Sequence, residues 1–197
     1  MVTKNFCLLL LLLASIAAKS QPNNGDIRLL RKINFNSSIG ADKTFRFISN
    51  SSTPIGLCSP VTLFIVGAIQ KDELLKRNSY RHAASLALSS GLSYILKISF
   101  QRKRPFVTYP DIIKKSHGGS WSFPSGHTTF AFATATSLTL SFPKWYVAVP
   151  AYLWASTVAY SRMYLGVHYP SDVLGGIILG IGTSFLVWKL DEYFLKK

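Results

Sequence analysis

The chain has 197 residues, 48% apolar and 15% charged, with a mean hydropathy of +0.24 and a formal net charge of +14. That is too apolar for a disordered basic tail and too poor in charge for an ordinary soluble domain, which leaves one compact domain with membrane character. The excess of cations suits an anionic partner, either nucleic acid or a phosphorylated lipid; with no zinc-finger spacing, RNA-binding aromatic signature or isolated basic helix, nucleic acid is set aside.

Residues 1–20 read as a signal peptide. Lys4 gives a positive start, Phe6 to Ala18 is an apolar run, and Ala18-Lys19-Ser20 offers small residues for cleavage before Gln21. The run falls short of the roughly 20 residues that cross a bilayer, although retention as an uncleaved helix is the alternative. Cys7 would leave with the signal, so Cys58 has no intrachain partner in the mature chain. Residues 21–54 form an amino-terminal segment on the periplasmic side. Gln21 to Asp26 is polar and turn-rich, and Leu29, Leu30, Ile33, Phe35, Phe45, Phe47 and Ile48 alternate with charges, as in short amphipathic pieces lying at the outer interface. No function is assigned to that segment.

Residues 55–197 hold five apolar segments, 55–70, 83–100, 127–142, 145–160 and 173–190, expected to form about five transmembrane helices. Trp145, Tyr146, Trp188 and Tyr193 stand where such helices would meet headgroups. Ser85, Ser89, Ser90 and Ser93 are expected to face the bundle interior, and Gly176 and Gly180 to offer a small face for close helix contact. If Gln21 starts outside the cytoplasm, parity puts the loop Lys71 to Arg81 inside, residues 101–126 outside, and the turn at Phe142-Pro143-Lys144 inside.

The chemistry-bearing residues then gather at the outer face. Lys97 lies near the end of the second apolar segment, and Arg104-Pro105 follows after six residues, the proline stopping any continuing helix. An arginine fork matches phosphate oxygens in pairs while lysine adds a point charge. Pro124-Ser125-Gly126-His127 precedes the third segment: Ser125 is a natural N-cap, Gly126 lets backbone approach a ligand, and the unpaired amides of a first helical turn suit an anion. Protonating His127 there gains nothing from the helix dipole, an expense more reasonable if a phosphate offsets it and the ring gives a proton to a leaving oxygen. Ser161-Arg162 is followed by His168 and Asp172, with Pro170 opening the next helix. Asp172 can accept from one ring nitrogen of His168 and leave the other as a lone pair for phosphorus.

His82 falls in the expected inner loop and is read as interfacial, and His117 as part of a flexible outer loop. No metal is expected, because only Asp111 and Asp172 of the 8 acidic residues lie in or beside the outer loops.

Lys97 with Arg104-Pro105, Pro124-Ser125-Gly126-His127, and Ser161-Arg162 with His168 and Asp172 resemble, in order and spacing, the three motifs of the type 2 phosphatidic acid phosphatase (PAP2) superfamily, which includes bacterial class A acid phosphatases and vanadium haloperoxidases. The resemblance covers roughly residues 55–190. It implies an all-α integral membrane helical bundle in which Lys97, Arg104 and Arg162 grip phosphate oxygens with help from Ser125 and Gly126. It further implies that His168 is the nucleophile, Asp172 its partner and His127 the acid, without metal or cofactor. Membrane members have six transmembrane helices, and the mature chain here reads as five.

The expected activity is metal-independent hydrolysis of a phosphate or diphosphate ester on an envelope lipid through a phosphohistidine, in the bacterial inner membrane with the site facing the periplasm. Polyprenyl pyrophosphate and lipid A phosphate are favoured over phosphatidylglycerol phosphate and phosphatidate. Two alternatives stand beside it: a soluble periplasmic phosphatase using the apolar segments as core, and a non-catalytic phospholipid-binding membrane protein.

Overall fold

A computed structural model describes residues 25–34, 39–119 and 121–195, and among them every regular element is helical. The expected signal peptide lies outside the described residues. Two amino-terminal helices, α1 (Gly25–Asn34) and α2 (Ile39–Asn50), precede α3 (Ser52–Gln70), α4 (Glu73–Phe100), the short α5 (Pro105–Thr108), α6 (Gly126–Ser141), α7 (Trp145–Tyr164) and α8 (Pro170–Leu195).

Among the described residues three stretches are long and apolar enough to cross a membrane: Gly40–Gln70, Glu73–Thr108 and Pro170–Phe194. The first begins in the amino-terminal segment, because α2 and α3 are interrupted only at Ser51, and the expected boundary at residue 55 falls inside α3. Ile55, Leu57, Val61, Ile65 and Ile69 on α3 are all exposed. A helix in the core of a soluble protein would bury such a row, whereas a bilayer covers it, so these segments are not the core helices of a soluble enzyme.

The expected inner loop Lys71 to Arg81 is instead a two-residue turn. Lys71 takes a left-handed conformation (φ 56°) that closes α3, and the Asp72 carboxylate accepts from the Leu75 amide to start α4. Arg77 and Arg81 therefore ride on α4, where both pair with Asp191 of α8, the Arg77 contact measuring 2.7 Å. Arg81 also lies over the Trp188 ring at 4.6 Å, so that indole is buried rather than set among headgroups. His82 is fully buried as well, with Nε2 3.4 Å from Ser59 Oγ, and is not interfacial. Of the serines on α4 expected to face the interior, Ser85, Ser89 and Ser93 do so while Ser90 is exposed.

Helix α6 packs against α3, α4, α7 and α8 and so occupies the centre of the bundle. Its composition follows from that position: every residue from Ala131 to Ser137 is buried, and most are small enough for neighbours to approach from all sides. Helix α8 comes close to the α6 backbone at Gly180, where a Cβ would lie 2.4 Å from the Thr129 carbonyl oxygen and 2.9 Å from the Ala133 nitrogen. Nearby, Ser184 Oγ donates to the Ala133 carbonyl at 3.1 Å. The expected small face on this helix therefore has a definite partner. Gly180→Val should force α6 and α8 apart and lower stability by about 1–3 kcal/mol. Thermal unfolding in detergent checks this, and an unchanged Tm would contradict the close packing.

Candidate active site

Three chain reversals converge at one end of the bundle. Lys97 sits in the last turn of α4, after which Gln101 adopts a left-handed conformation (φ 46°) and turns the chain toward Arg104, whose extended backbone opens α5 with Pro105 at its first position. The loop from Tyr109 then leads to Ser125 and α6. At the end of α7 the reversal that carries Arg162 to His168 depends on Gly166, which has φ +70° and so close a neighbour that a Cβ would meet the Ile113 carbonyl oxygen at 2.4 Å. Asn34 of α1 fixes the same corner, donating to the carbonyls of Ile113 and Tyr164 at 3.0 Å and accepting from the Ile113 amide at 2.8 Å.

All the residues singled out by the motifs come together here. Arg104 Nη1 lies 3.3 Å from His168 Nε2 and donates to the Val167 carbonyl at 2.8 Å. On the other side of the ring, His168 Nδ1 is 3.4 Å from Asp172 Oδ2, an ion-pair distance without hydrogen-bond geometry. His168 is 2% exposed and Asp172 fully buried. Burial first, then the charges of Arg104, Arg162 and Lys97 and the proximity of His127, hold the His168 imidazole well below its ordinary pKa. The ring is neutral at physiological pH and has a lone pair available.

The cations reach this point by different supports. Lys97 Nζ donates to the carbonyls of Pro124 at 2.6 Å and Trp121 at 2.9 Å, which ties α4 to the loop that presents Ser125, Gly126 and His127. Arg162 is buried; its Nη1 donates to Ser49 Oγ of α2 at 2.5 Å, while its Nε is a buried donor with no partner among the described residues. A buried N–H left unpaired is costly, and a phosphate oxygen would satisfy it. Ser125 stands at the N-cap position of α6, but its side chain makes no capping bond; its Oγ accepts from Thr128 Oγ1 at 2.9 Å, and its amide donates to the Asp172 carbonyl at 3.0 Å. His127, half-buried in the first turn of α6, lies near enough to Arg162, Arg104 and Lys97 to feel their charges. His117 is exposed on the loop between α5 and α6 and makes none of these contacts.

Several residues with no motif to announce them hold the cluster. Asp172 Oδ1 accepts from Arg102 Nη1 at 2.7 Å, and Oδ2 accepts from Ser122 Oγ at 2.5 Å and from the Tyr169 amide at 2.9 Å. Asp26 of α1 joins from the amino-terminal segment through Arg102, and Ser49 of α2 through Arg162. The available signals were the doubling of arginine in Arg102-Lys103-Arg104 and the scarcity of acids in a chain this basic. Neither specifies a partner. Among the described residues no three His, Cys, Asp or Glu side chains are grouped to hold a metal ion. The arrangement is a cationic pocket around a neutral imidazole, which suits attack on an oxyanion of phosphorus.

Comparison with known proteins agrees with that chemistry. The undecaprenyl-diphosphatase of Sulfolobus acidocaldarius is 30% identical over 194 residues, covering 94% of this chain and 89% of its own. The crystal structure of Aquifex aeolicus LpxE superposes with a TM-score of 0.72 at 28% identity, covering 85% of this chain and 97% of that one. A transmembrane PAP2 type phosphatidylglycerolphosphate phosphatase from Bacillus subtilis gives 0.76 at 25% identity, covering 98% of this chain and 96% of its own. The model of the PAP2 superfamily matches residues 80–196, which include every motif residue. The chain belongs to the PAP2 superfamily, in its membrane lipid phosphatase branch.

Proposed function

We propose that the chain hydrolyses a phosphate or diphosphate ester on an envelope lipid through a phosphohistidine at His168, in the bacterial inner membrane with the site facing the periplasm. The observation that carries this reading is the placement of the neutral His168 ring between Arg104 on its Nε2 side and Asp172 on its Nδ1 side. With the proton on Nδ1 facing the carboxylate, the Nε2 lone pair attacks phosphorus. The bond from phosphorus to the leaving oxygen breaks, the lipid oxygen of a monophosphate or the bridging oxygen of a diphosphate, and that oxygen takes a proton from His127. Water then attacks the phosphohistidine, His127 accepts its proton, and inorganic phosphate leaves as Nε2 regains its lone pair. Lys97, Arg104 and Arg162 hold the equatorial oxygens, with Ser125 and Gly126 lining the approach, so protein cations do the electrostatic work that a metal does elsewhere.

A membrane-embedded substrate is supported by a cavity of about 210 Å³ between α4 and α6, lined by Ser90, Ser93, Tyr94, Lys97, Gly126 and Thr129. It joins the phosphate-binding end of both helices to the exposed flank of α4 carrying Ser90 and Tyr94. Among lipids, a polyprenyl diphosphate is favoured because the Sulfolobus diphosphatase keeps 30% identity over 94% of this chain, against 25% over 98% for the Bacillus phosphatidylglycerolphosphate phosphatase. Lipid A-type phosphates stand next, ahead of phosphatidylglycerol phosphate and phosphatidate.

Detergent-solubilised protein with chelator present should release phosphate from polyprenyl diphosphate faster than from lipid A, phosphatidylglycerol phosphate or phosphatidate. A requirement for added divalent cation, or no release from any of the four, would contradict the reading. His168→Ala should abolish turnover together with the acid-labile phosphoenzyme trapped by rapid quench; labelling that persists would move the nucleophile elsewhere. The pH profile tests the environment of the ring. Because the pKa of His168 is depressed, the neutral attacking form persists as pH falls through the ordinary histidine value of about 6.5, so kcat/KM should hold there and decline only below it. An acid limb at or above that value would contradict the depressed pKa.

A further inference from the structure

A second layer of charge connects the nucleophile to the amino-terminal helix α1. Arg102 is the junction. Its Nη1 donates to Asp172 Oδ1 at 2.7 Å and to Ser171 Oγ at 2.6 Å, and its Nη2 donates to Asp26 Oδ2 at 2.8 Å. The guanidinium carbon stands 4.1 Å from the centre of the Tyr169 ring. Asp26 in turn accepts from the Ser171 amide at 2.8 Å and from Ser171 Oγ at 2.5 Å, which pins α1 to the first turn of α8. The side chains of Arg102 and Asp26 are only 10% and 14% exposed.

We propose that Arg102 and Asp26 are positioning residues of the phosphatase: Asp26 fixes the Arg102 fork, and the fork fixes the rotation and charge of the carboxylate that orients His168. The inference rests on the phosphohistidine reading above.

Three observations support it. Arg102 belongs to the same basic run as Arg104, yet both ends of its fork are taken by carboxylates, so it is not a fourth phosphate ligand. Asp172 has no exposure to water and must have its lone pairs filled by protein; Arg102 supplies the charged donor to Oδ1, while Ser122 and the Tyr169 amide hold Oδ2 at the distance seen from His168 Nδ1. The guanidinium fixes the direction of Oδ1, so the other oxygen stays turned toward His168 Nδ1 and orients the imidazole, the division of labour that a nucleophilic histidine needs. Asp26 returns a negative charge to the far side of Arg102 and keeps the fork from swinging toward the phosphate.

The test compares Arg102→Gln, Arg102→Lys and Asp26→Asn with the unmodified full chain in detergent, on the fastest-cleaved lipid of the four named above. The groups nearest His168 are Arg104, Arg162, Lys97, His127 and Asp172, and all are retained in the variants, so a shift of the limb comes through Arg102 and Asp26. Arg102→Gln should lower kcat about ten- to hundredfold with KM within about threefold. It should also move the acid limb of kcat/KM to higher pH, since removing a cation favours the imidazolium. Asp26→Asn should lower kcat by about three- to tenfold and move the limb the other way, because the charge of Arg102 is then less neutralised. Arg102→Lys should recover part of the rate lost in Arg102→Gln.

A general packing defect would not shift the limb in opposite directions. Unchanged kcat and limb in Arg102→Gln, limb shifts of one sign in both variants, or losses confined to KM would each overturn the proposal. If Arg102→Gln fails to insert, Asp26→Asn decides alone, and wild-type kcat and limb there overturn it. An unmodified chain that forms no phosphoenzyme removes the phosphohistidine reading and this inference with it, a result visible before any variant is made.

Discussion

A buried carboxylate beside a buried imidazole is an expensive pair to keep out of water, and at the heart of this protein its cost is offset by three donors closing on Asp172. Arg102, Ser122 and the Tyr169 amide fill the oxygens of that residue while His168 stands 3.4 Å away. Each donor comes from a different part of the chain: Arg102 from beyond the end of α4, Ser122 from the loop before α6, and Tyr169 from the turn before α8. The site therefore exists only when those three segments are docked. Its integrity reports on the bundle as a whole.

The docking is done by small residues and by reversals. With α6 in the middle, the bundle can close only if its neighbours come within backbone contact, which Gly180 permits. The Ser125 amide donating to the Asp172 carbonyl joins the start of α6 to the start of α8, so the two helix ends that carry His127 and Asp172 move as one. Lys97 adds a third tie by holding the carbonyls of Trp121 and Pro124. The lysine thus shapes the loop as well as bringing charge to it, and its tether leaves Nζ beside the Ser125-Gly126 turn where an anion would arrive.

The amino-terminal helices extend this scheme. Sequence reading treats residues 21–54 as interfacial pieces without a role, yet Asp26, Asn34 and Ser49 each bond to an element of the site. The reason they escape notice is chemical. An aspartate at the start of an amphipathic helix reads as a favourable dipole partner, and a serine at the end of another reads as a turn former; only their neighbours in space give them a further meaning. The length over which this chain matches its relatives, 94% for the Sulfolobus diphosphatase and 98% for the Bacillus phosphatase, extends into that segment.

The sequence by itself determined which residues are available for the chemistry. Lys97, Arg104, His127, Arg162, His168 and Asp172 are residue types whose reactivity is intrinsic, and their spacing around apolar helices is enough to place them at one end of a bundle. It also determined the helical, membrane-bound architecture, since long uncharged runs have few other ways to satisfy their backbone in lipid. Tertiary structure alone decided the supports: that His82 and Trp188 are buried, and that Asp172 is held by Arg102 and Ser122 as well as standing beside His168. These depend on which side chains meet across long stretches of chain, as Ser122 and Asp172 do at a separation of 50 and Arg102 and Asp26 at 76. Local propensity and periodicity carry no record of such meetings, because hydrogen bonds between distant residues are selected by how helices pack and not by what lies next to each residue along the chain.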